Sequence, residues 1–138
     1  MARILLARSA VDPRAGRLLI VDDEAALRFA LSEYFRGNGW TVDSAAEKGE
    51  AEALMASWEY QVVIADLRLT GLHGVEGLDI IQRSRRLRPQ TRVVIFTGNG
   101  TPELEAEARR RGVDAFLHKP LPLVRLEAVV DSLVPVES

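Results

Sequence analysis

Two periodicities alternate along the chain. Short apolar runs occur as LLIV at 18–21, VVIA at 62–65, VVIF at 93–96 and AFL at 115–117, none of them alternating polar with apolar. Continuous runs of this length, three of them rich in Val and Ile, suit strands covered on both faces, as in a parallel sheet. WTVDSA at 40–45 is more polar and alternates roughly, which predicts an edge strand. Between the runs lie helical stripes. Leu27, Ala30, Leu31, Tyr34 and Phe35 follow the spacing of one buried helix face, and Gly37-Asn38-Gly39 stops that helix. Ala51, Leu54, Met55 and Trp58 repeat the spacing, as do Leu123, Leu126, Val130 and Leu133. A weaker stripe, Leu78, Ile80, Ile81 and Leu87, lies between Gly77 and Leu87. Thr101-Pro102 reads as an N-cap followed by Pro at the first helical position, opening a helix that ends near Gly112. The pattern is (βα)5, an α/β fold with a parallel sheet and helices on both faces.

Composition agrees with one globular domain. The 138 residues are 47% hydrophobic and 28% charged, with no cysteine and a net charge of -2. Thiol catalysis, disulfides and thiolate metal sites are thereby excluded. The acidic balance argues against direct nucleic-acid binding, which needs clustered positive charge. Arg83 to Arg88 and Arg109 to Arg111 are the candidate basic patches, but both fall near helix C-termini, where cations complement the dipole. No apolar run approaches the ~20 residues of a membrane span, and Arg8 cuts short any signal-peptide core, so the cytoplasm is the expected compartment. Residues 1–16 read as a tail and 17–136 as the domain. Sixteen of the 18 basic residues are Arg, so the two lysines, Lys48 and Lys119, stand out.

The polar residues that end the apolar runs carry the chemistry. The first run leads into Asp22-Asp23, the third strand ends at Asp66, the fourth at Thr97-Gly98 and the fifth at Lys119-Pro120. In an open parallel sheet, ligands bind outside the carboxyl ends of the strands. Four strands therefore deliver three carboxylates, a hydroxyl and an ammonium to one rim. Crowded carboxylates call for a hard divalent cation, and Mg²⁺ suits a set that keeps room for waters and phosphoryl oxygens. An aspartate there is a competent nucleophile toward phosphorus, while Lys119 and Thr97 would meet oxygens of the transferred group. Each element also has an ordinary reading: Asp22-Asp23 as a helix cap, Asp66 as a turn residue, Thr97-Gly98 as loop, Lys119 as a solvated side chain. Four coincidences at four successive strand ends favour the phosphoryl-acceptor site.

LLIVDDE, VVIADLRL, VVIFTGNG and AFLHKP, in this order and spacing, resemble the receiver domain of bacterial two-component response regulators from residue 17 to about 134. The resemblance implies the flavodoxin-like strand order 2-1-3-4-5. It implies Asp66 as phosphoacceptor from a histidine kinase or phosphotransfer protein, assisted by Thr97 and Lys119. Mg²⁺ would be held by Asp22, Asp23, Asp66 and the backbone carbonyl of Arg68. Phe116 stands at the switch aromatic, which turns inward as Thr97 moves toward the phosphoryl group. Arg68 and Asn99 occupy the positions that tune phosphoryl lifetime, and the Lys119-Pro120 bond is expected to be cis. A downstream protein partner would read residues 101–134. The expected protein is a phosphoryl-accepting switch, not an enzyme beyond its self-catalysed phosphorylation and dephosphorylation. It is expected as a monomer or a weak phosphorylation-dependent dimer, with no output domain in this chain.

The chain departs from the family pattern between Asp66 and Gly77. Thr70 replaces the usual proline, and TGLHGVEG is about three residues longer than usual, with Gly71, Gly74 and Gly77 expected to loosen it. His73 in this loop reads as a surface residue, and His118, beside the site, is expected to point off the pocket. Two other chemistries fit less well. A dehalogenase-type phosphohydrolase would need a second Asp where Arg68 stands, and a flavin or nucleotide binder would not place Asp-Asp-Glu after its first strand.

Overall fold

The computed structural model describes residues 16–69 and 74–134. The tail, apart from Gly16, lies outside the described residues, as do Thr70, Gly71 and His73 of the long loop. Five strands and five helices alternate strictly: β1 (Arg17–Val21), α1 (Ala25–Gly37), β2 (Thr41–Ala45), α2 (Lys48–Ser57), β3 (Val62–Ala65), α3 (Glu76–Leu87), β4 (Arg92–Thr97), α4 (Pro102–Arg110), β5 (Ala115–His118) and α5 (Leu123–Leu133). All pairings are parallel, in the order β2-β1-β3-β4-β5, so β2 is the edge strand that its polar pattern predicts.

The unbroken apolar runs have a direct cause. Successive strand residues face opposite sides, and both sides are covered. Leu19, Val21, Val63, Ala65, Val93 and Ile95 pack with Met55, Ile80, Ile81 and Ala108, under α2, α3 and α4. Leu18, Ile20, Val62, Ile64, Val94 and Phe96 pack with Leu31, Phe35, Leu126 and Val130, under α1 and α5. Every residue of β3 is therefore buried.

Local signals act where the sequence places them. The α1 helix ends at Gly37, and Gly39 takes φ +95° as the chain turns into β2. Thr101 caps α4, its Oγ1 accepting the Leu104 N–H at 3.1 Å, with Pro102 in the first turn. Gly112 follows α4 at φ +98°. Two stripe positions differ from expectation. Ala30 is exposed while Ser32 is buried, because the face of α1 against the sheet is rotated toward Leu31 and Phe35. Trp58 lies just beyond α2 rather than in its buried stripe; it is 48% exposed and carries the Arg17 guanidinium 4.3 Å from its ring centroid.

The charged segments are largely satisfied within the fold. Arg85 donates to the Gly112 and Pro89 carbonyls and pairs with Asp114, Arg110 and Arg111 pair with Glu107, and Arg109 pairs with Glu105. That is the self-paired helix-end reading of the Arg runs. Lys48 also has a place: its Nζ meets Asp79 at 3.2 Å and ties α2 to α3. Among the described residues no helix is long and apolar enough to cross a membrane.

One close approach sets the position of the loop between β3 and α3. A Cβ added at Gly77 would lie 2.4 Å from the Asp66 carbonyl oxygen and 2.8 Å from Leu67 Cα. The first turn of α3 can rest on the backbone after β3 because residue 77 has no side chain. Gly77→Ala should therefore destabilise the fold by roughly 1–3 kcal/mol, as overpacking of a close contact does. A urea midpoint equal to that of the parent would refute the contact.

Candidate functional site

The sheet order brings the ends of β1, β3, β4 and β5 to one edge. Asp22 and Asp66 directly follow β1 and β3, are 3% and 6% exposed, and are joined to neighbouring strands by their own amides: Asp22 N–H to Ala45 O and Asp66 N–H to Val21 O. Between the two carboxylates sits Lys119. Its Nζ donates to Asp22 Oδ2 at 2.8 Å and to Asp66 Oδ2 at 2.9 Å. The Lys119-Pro120 bond is cis, as expected.

The remaining carboxylate oxygens have backbone partners. Asp22 Oδ1 accepts the Glu24 N–H at 2.8 Å, and Asp66 Oδ1 faces the Arg68 N–H at 3.4 Å. The N-cap of α1 is Glu24, which makes no side-chain cap bond, so neither Asp22 nor Asp23 caps that helix. Asp23 is exposed at the rim. Among the described residues, no group of three or more carboxylate or imidazole side chains is gathered closely enough to hold a metal ion. The acids that meet are Asp22 and Asp66, with Lys119 between them.

Thr97 is fully buried, and its Oγ1 accepts the Asn99 N–H at 3.1 Å. That bond uses a lone pair and leaves the hydroxyl proton to be donated. Phe116 is buried on the same side of the sheet, against the cluster under α2, α3 and α4. Its ring leaves no room at Gly100, where an added Cβ would lie 2.8 Å from it. Arg68 and Asn99 are both exposed at the rim. His118 does not join the pair of aspartates. It is exposed, edge-on to Phe116 at 5.4 Å between ring centroids, with Nε2 3.9 Å from Glu105.

Two contributors were not singled out in the sequence, and Gly77, read there as loosening the loop, instead packs against its backbone. Arg28 donates to the Asp22 carbonyl at 2.8 Å, and Glu76 accepts the Leu69 N–H at 3.2 Å from a buried position. Of the three, only Gly77 carries a signal of its own, a glycine opening a helix close after a strand-end aspartate.

The donor chemistry is that of a hard divalent cation, since Asp22, Asp23 and Asp66 offer only oxygen, although of the three only Asp22 and Asp66 meet around Lys119. The electrostatics also explain Lys119. Burial alone would lower its pKa, but the hydrogen bonds and charges of Asp22 and Asp66 outweigh it and hold the ammonium above its ordinary value. A folded-state pKa raised this way contributes stability that is complete below about pH 10.4 and is lost as pH rises through the folded value. Lys119→Met should destabilise the fold by roughly 1–3 kcal/mol near neutral pH, by leaving buried charged acceptors without their donor. It should also flatten the alkaline fall in stability. Tyr60, whose pKa burial and its bond to Asp43 also push upward, is present in both proteins, so its contribution cancels in the comparison. Urea titrations across the alkaline range that superimpose for parent and variant would refute the bridge.

Comparison with known proteins places this arrangement. The family model for the response regulator receiver domain matches residues 18–131. The transcriptional regulatory protein PmrA of Pectobacterium parmentieri is 34% identical over 86% of this chain and 52% of its own length. The sporulation initiation phosphotransferase F of Bacillus subtilis is 26% identical over 88% of this chain and 96% of its own. The chain thus spans about half the length of PmrA and nearly all of the phosphotransferase. Among solved structures, a CheY-like response regulator receiver domain from Methanospirillum hungatei JF-1 superposes with a TM-score of 0.77, at 25% identity over 86% of this chain and 95% of that one.

Proposed function

Because the chain belongs to the response regulator receiver domain family, we propose that residues 17–136, preceded by the tail at 1–16, act as a phosphorylation-driven switch with Asp66 as acceptor. The observation that carries this reading is the Lys119 ammonium held between two buried aspartates at the carboxyl ends of the strands. A purely structural ion pair would need one acid. A second buried acid costs stability through desolvation and repulsion, and that cost has a use if the site must receive charge.

In the proposed reaction a carboxylate oxygen of Asp66 attacks the phosphorus of a phosphohistidine on a histidine kinase or phosphotransfer protein. The new O–P bond forms as the P–N bond breaks, and the imidazole leaves with the electron pair. Lys119, already within hydrogen-bond reach of Asp66, meets one phosphoryl oxygen, and the Thr97 hydroxyl donates to another. Asp22, Asp23, Asp66 and the Arg68 carbonyl would hold Mg²⁺, which supplies charge neutralisation for the transferred group. Arg68 and Asn99, exposed at the rim, are placed to influence water reaching the acyl phosphate. Reversal by hydrolysis makes the protein a self-catalysed switch.

The reading extends to the partner. Engagement of Thr97 and the buried Phe116 would bias the surface of α4, β5 and α5, residues 101–134, on which Val124 is 63% exposed. A downstream protein would read that face in the cytoplasm, with this chain a monomer or a weak phosphorylation-dependent dimer and no part played by nucleic acid.

Incubation with acetyl phosphate and Mg²⁺, followed by intact mass, tests the acceptor. One phosphoryl group should be gained by the parent and none by Asp66→Asn, and an adduct that survives the substitution would overturn the assignment. Asp23→Asn should raise the Mg²⁺ concentration needed for labelling, whereas an unchanged requirement would remove Asp23 from the metal set.

A further inference from the structure

The connection from β3 to α3 is longer than the family pattern, and Glu76 at its far end reaches back to its start. Glu76 is the first residue of α3 and only 8% exposed. Its Oε1 accepts the Leu69 N–H at 3.2 Å, tying the start of α3 to the backbone after β3. A carboxylate is well placed at a helix N-terminus, and the N-cap itself, Val75, makes no side-chain bond. Two further contacts tie the same stretch to α3. The Gly77 N–H donates to Leu67 O at 2.9 Å, and residue 77 rests on the Asp66 carbonyl. Beside this frame lies Arg68, whose own N–H faces Asp66 Oδ1 and whose carbonyl shares a peptide plane with the Leu69 N–H that Glu76 holds.

We propose that Glu76 is a positioning residue for the Asp66 site: by holding the Leu69 N–H it sets the Arg68 peptide, and so the carbonyl oxygen that this chain offers to a divalent cation beside Asp66. The argument is one of reach. A loop lengthened between Asp66 and Gly77 loosens the backbone next to the acceptor unless something closes it. Glu spans the gap through a buried charge-assisted bond, which a shorter side chain would not reach. This role rests on the metal set proposed above, so its test measures metal binding without any phosphodonor.

Mg²⁺ binding is read by titration calorimetry on the full chain, alongside urea midpoints and acetyl-phosphate labelling. Glu76→Ala should weaken Mg²⁺ binding by about tenfold, the scale seen when a partner that orients a metal ligand is removed. Glu76→Gln keeps an acceptor of the same length and should bind Mg²⁺ close to the parent. A lower urea midpoint for Glu76→Ala with unchanged Mg²⁺ affinity would make the residue merely structural and overturn the proposal. If Glu76→Ala fails to fold, Glu76→Asp decides, since it keeps the charge and loses the reach. Weakened Mg²⁺ binding supports the role, and binding equal to the parent overturns it. A parent that binds no Mg²⁺ overturns it as well. A parent that binds Mg²⁺ but gains no phosphoryl group counts against the acceptor reading alone, because the calorimetric comparison stands without it.

Discussion

The Lys119 bridge is the constraint on which the arrangement of the site depends. Its two carboxylates follow β1 and β3, while the lysine follows β5. In the order β2-β1-β3-β4-β5, β5 and β1 are three strand spacings apart, each about 4.8 Å. Lys119, with the backbone that carries it from β5 over the carboxyl edge, therefore ties the last strand to the two central ones. A lysine suits this better than the arginine the chain otherwise prefers. Its ammonium is a compact charge on a flexible stem, with donors for two separate carboxylates, whereas a guanidinium presents a fixed planar fork. The lysine at the strand end is thus explained by geometry as well as by charge.

The sheet that carries the bridge is stiff because alternate residues of each central strand serve different cores. Leu18 and Ile20 are buried with α1 and α5, Leu19 and Val21 with α2, α3 and α4. A one-residue slip would exchange the two sets and also move Asp22 out of register with Lys119. The packing of the core and the geometry of the site are set by the same alignment of strands. Gly77 and Glu76 extend that alignment to the helix after β3, where the backbone of Asp66 touches α3 with no side chain between.

Most of this was legible in the amino-acid order, for identifiable reasons. Strands buried on both faces leave continuous runs such as VVIA, and the residues ending them fall on one edge by topology alone, so Asp22, Asp66, Thr97 and Lys119 could be grouped across a separation of 97 residues between the bridge partners. Helix faces were less legible at their ends. Ala30 and Trp58 continue a stripe by spacing alone, but a stripe has no means of stating where the helix stops or how far it is rolled against the sheet. Trp58 falls past the last turn and stacks with Arg17 instead. The buried role of Glu76 was invisible, since an acid in the first turn of a helix is ordinary and only the folded loop brings it to Leu69. Asp23 illustrates the opposite case: its neighbour in sequence is buried, yet it stays at the rim, because adjacent residues after a strand need not share a direction.

The balance of charge at the edge connects the resting structure to its proposed use. Asp22 and Asp66 compete for one ammonium, and the carboxylate of Asp23 adds a third negative charge nearby. Such a set is held together by Lys119 but not neutralised by it, so any event that changes charge at Asp66 must redistribute the bonds of Lys119. Under the proposed phosphorylation the acceptor oxygen becomes part of an acyl phosphate, and the strongest acceptors in reach of Lys119 become phosphoryl oxygens rather than Asp66 Oδ2. Thr97 lies at the end of β4, in register with His118 on β5 and one residue from Lys119 in the sheet. Its hydroxyl is committed to the Asn99 amide only as an acceptor, leaving the proton to respond. In the proposed switch such a shift would reach Phe116, two residues before His118 on the same side of β5, whose ring lies over Gly100. Under the proposed phosphorylation, a displacement of Thr97 on this side of the sheet would be carried by that ring toward the surface of α4 and β5.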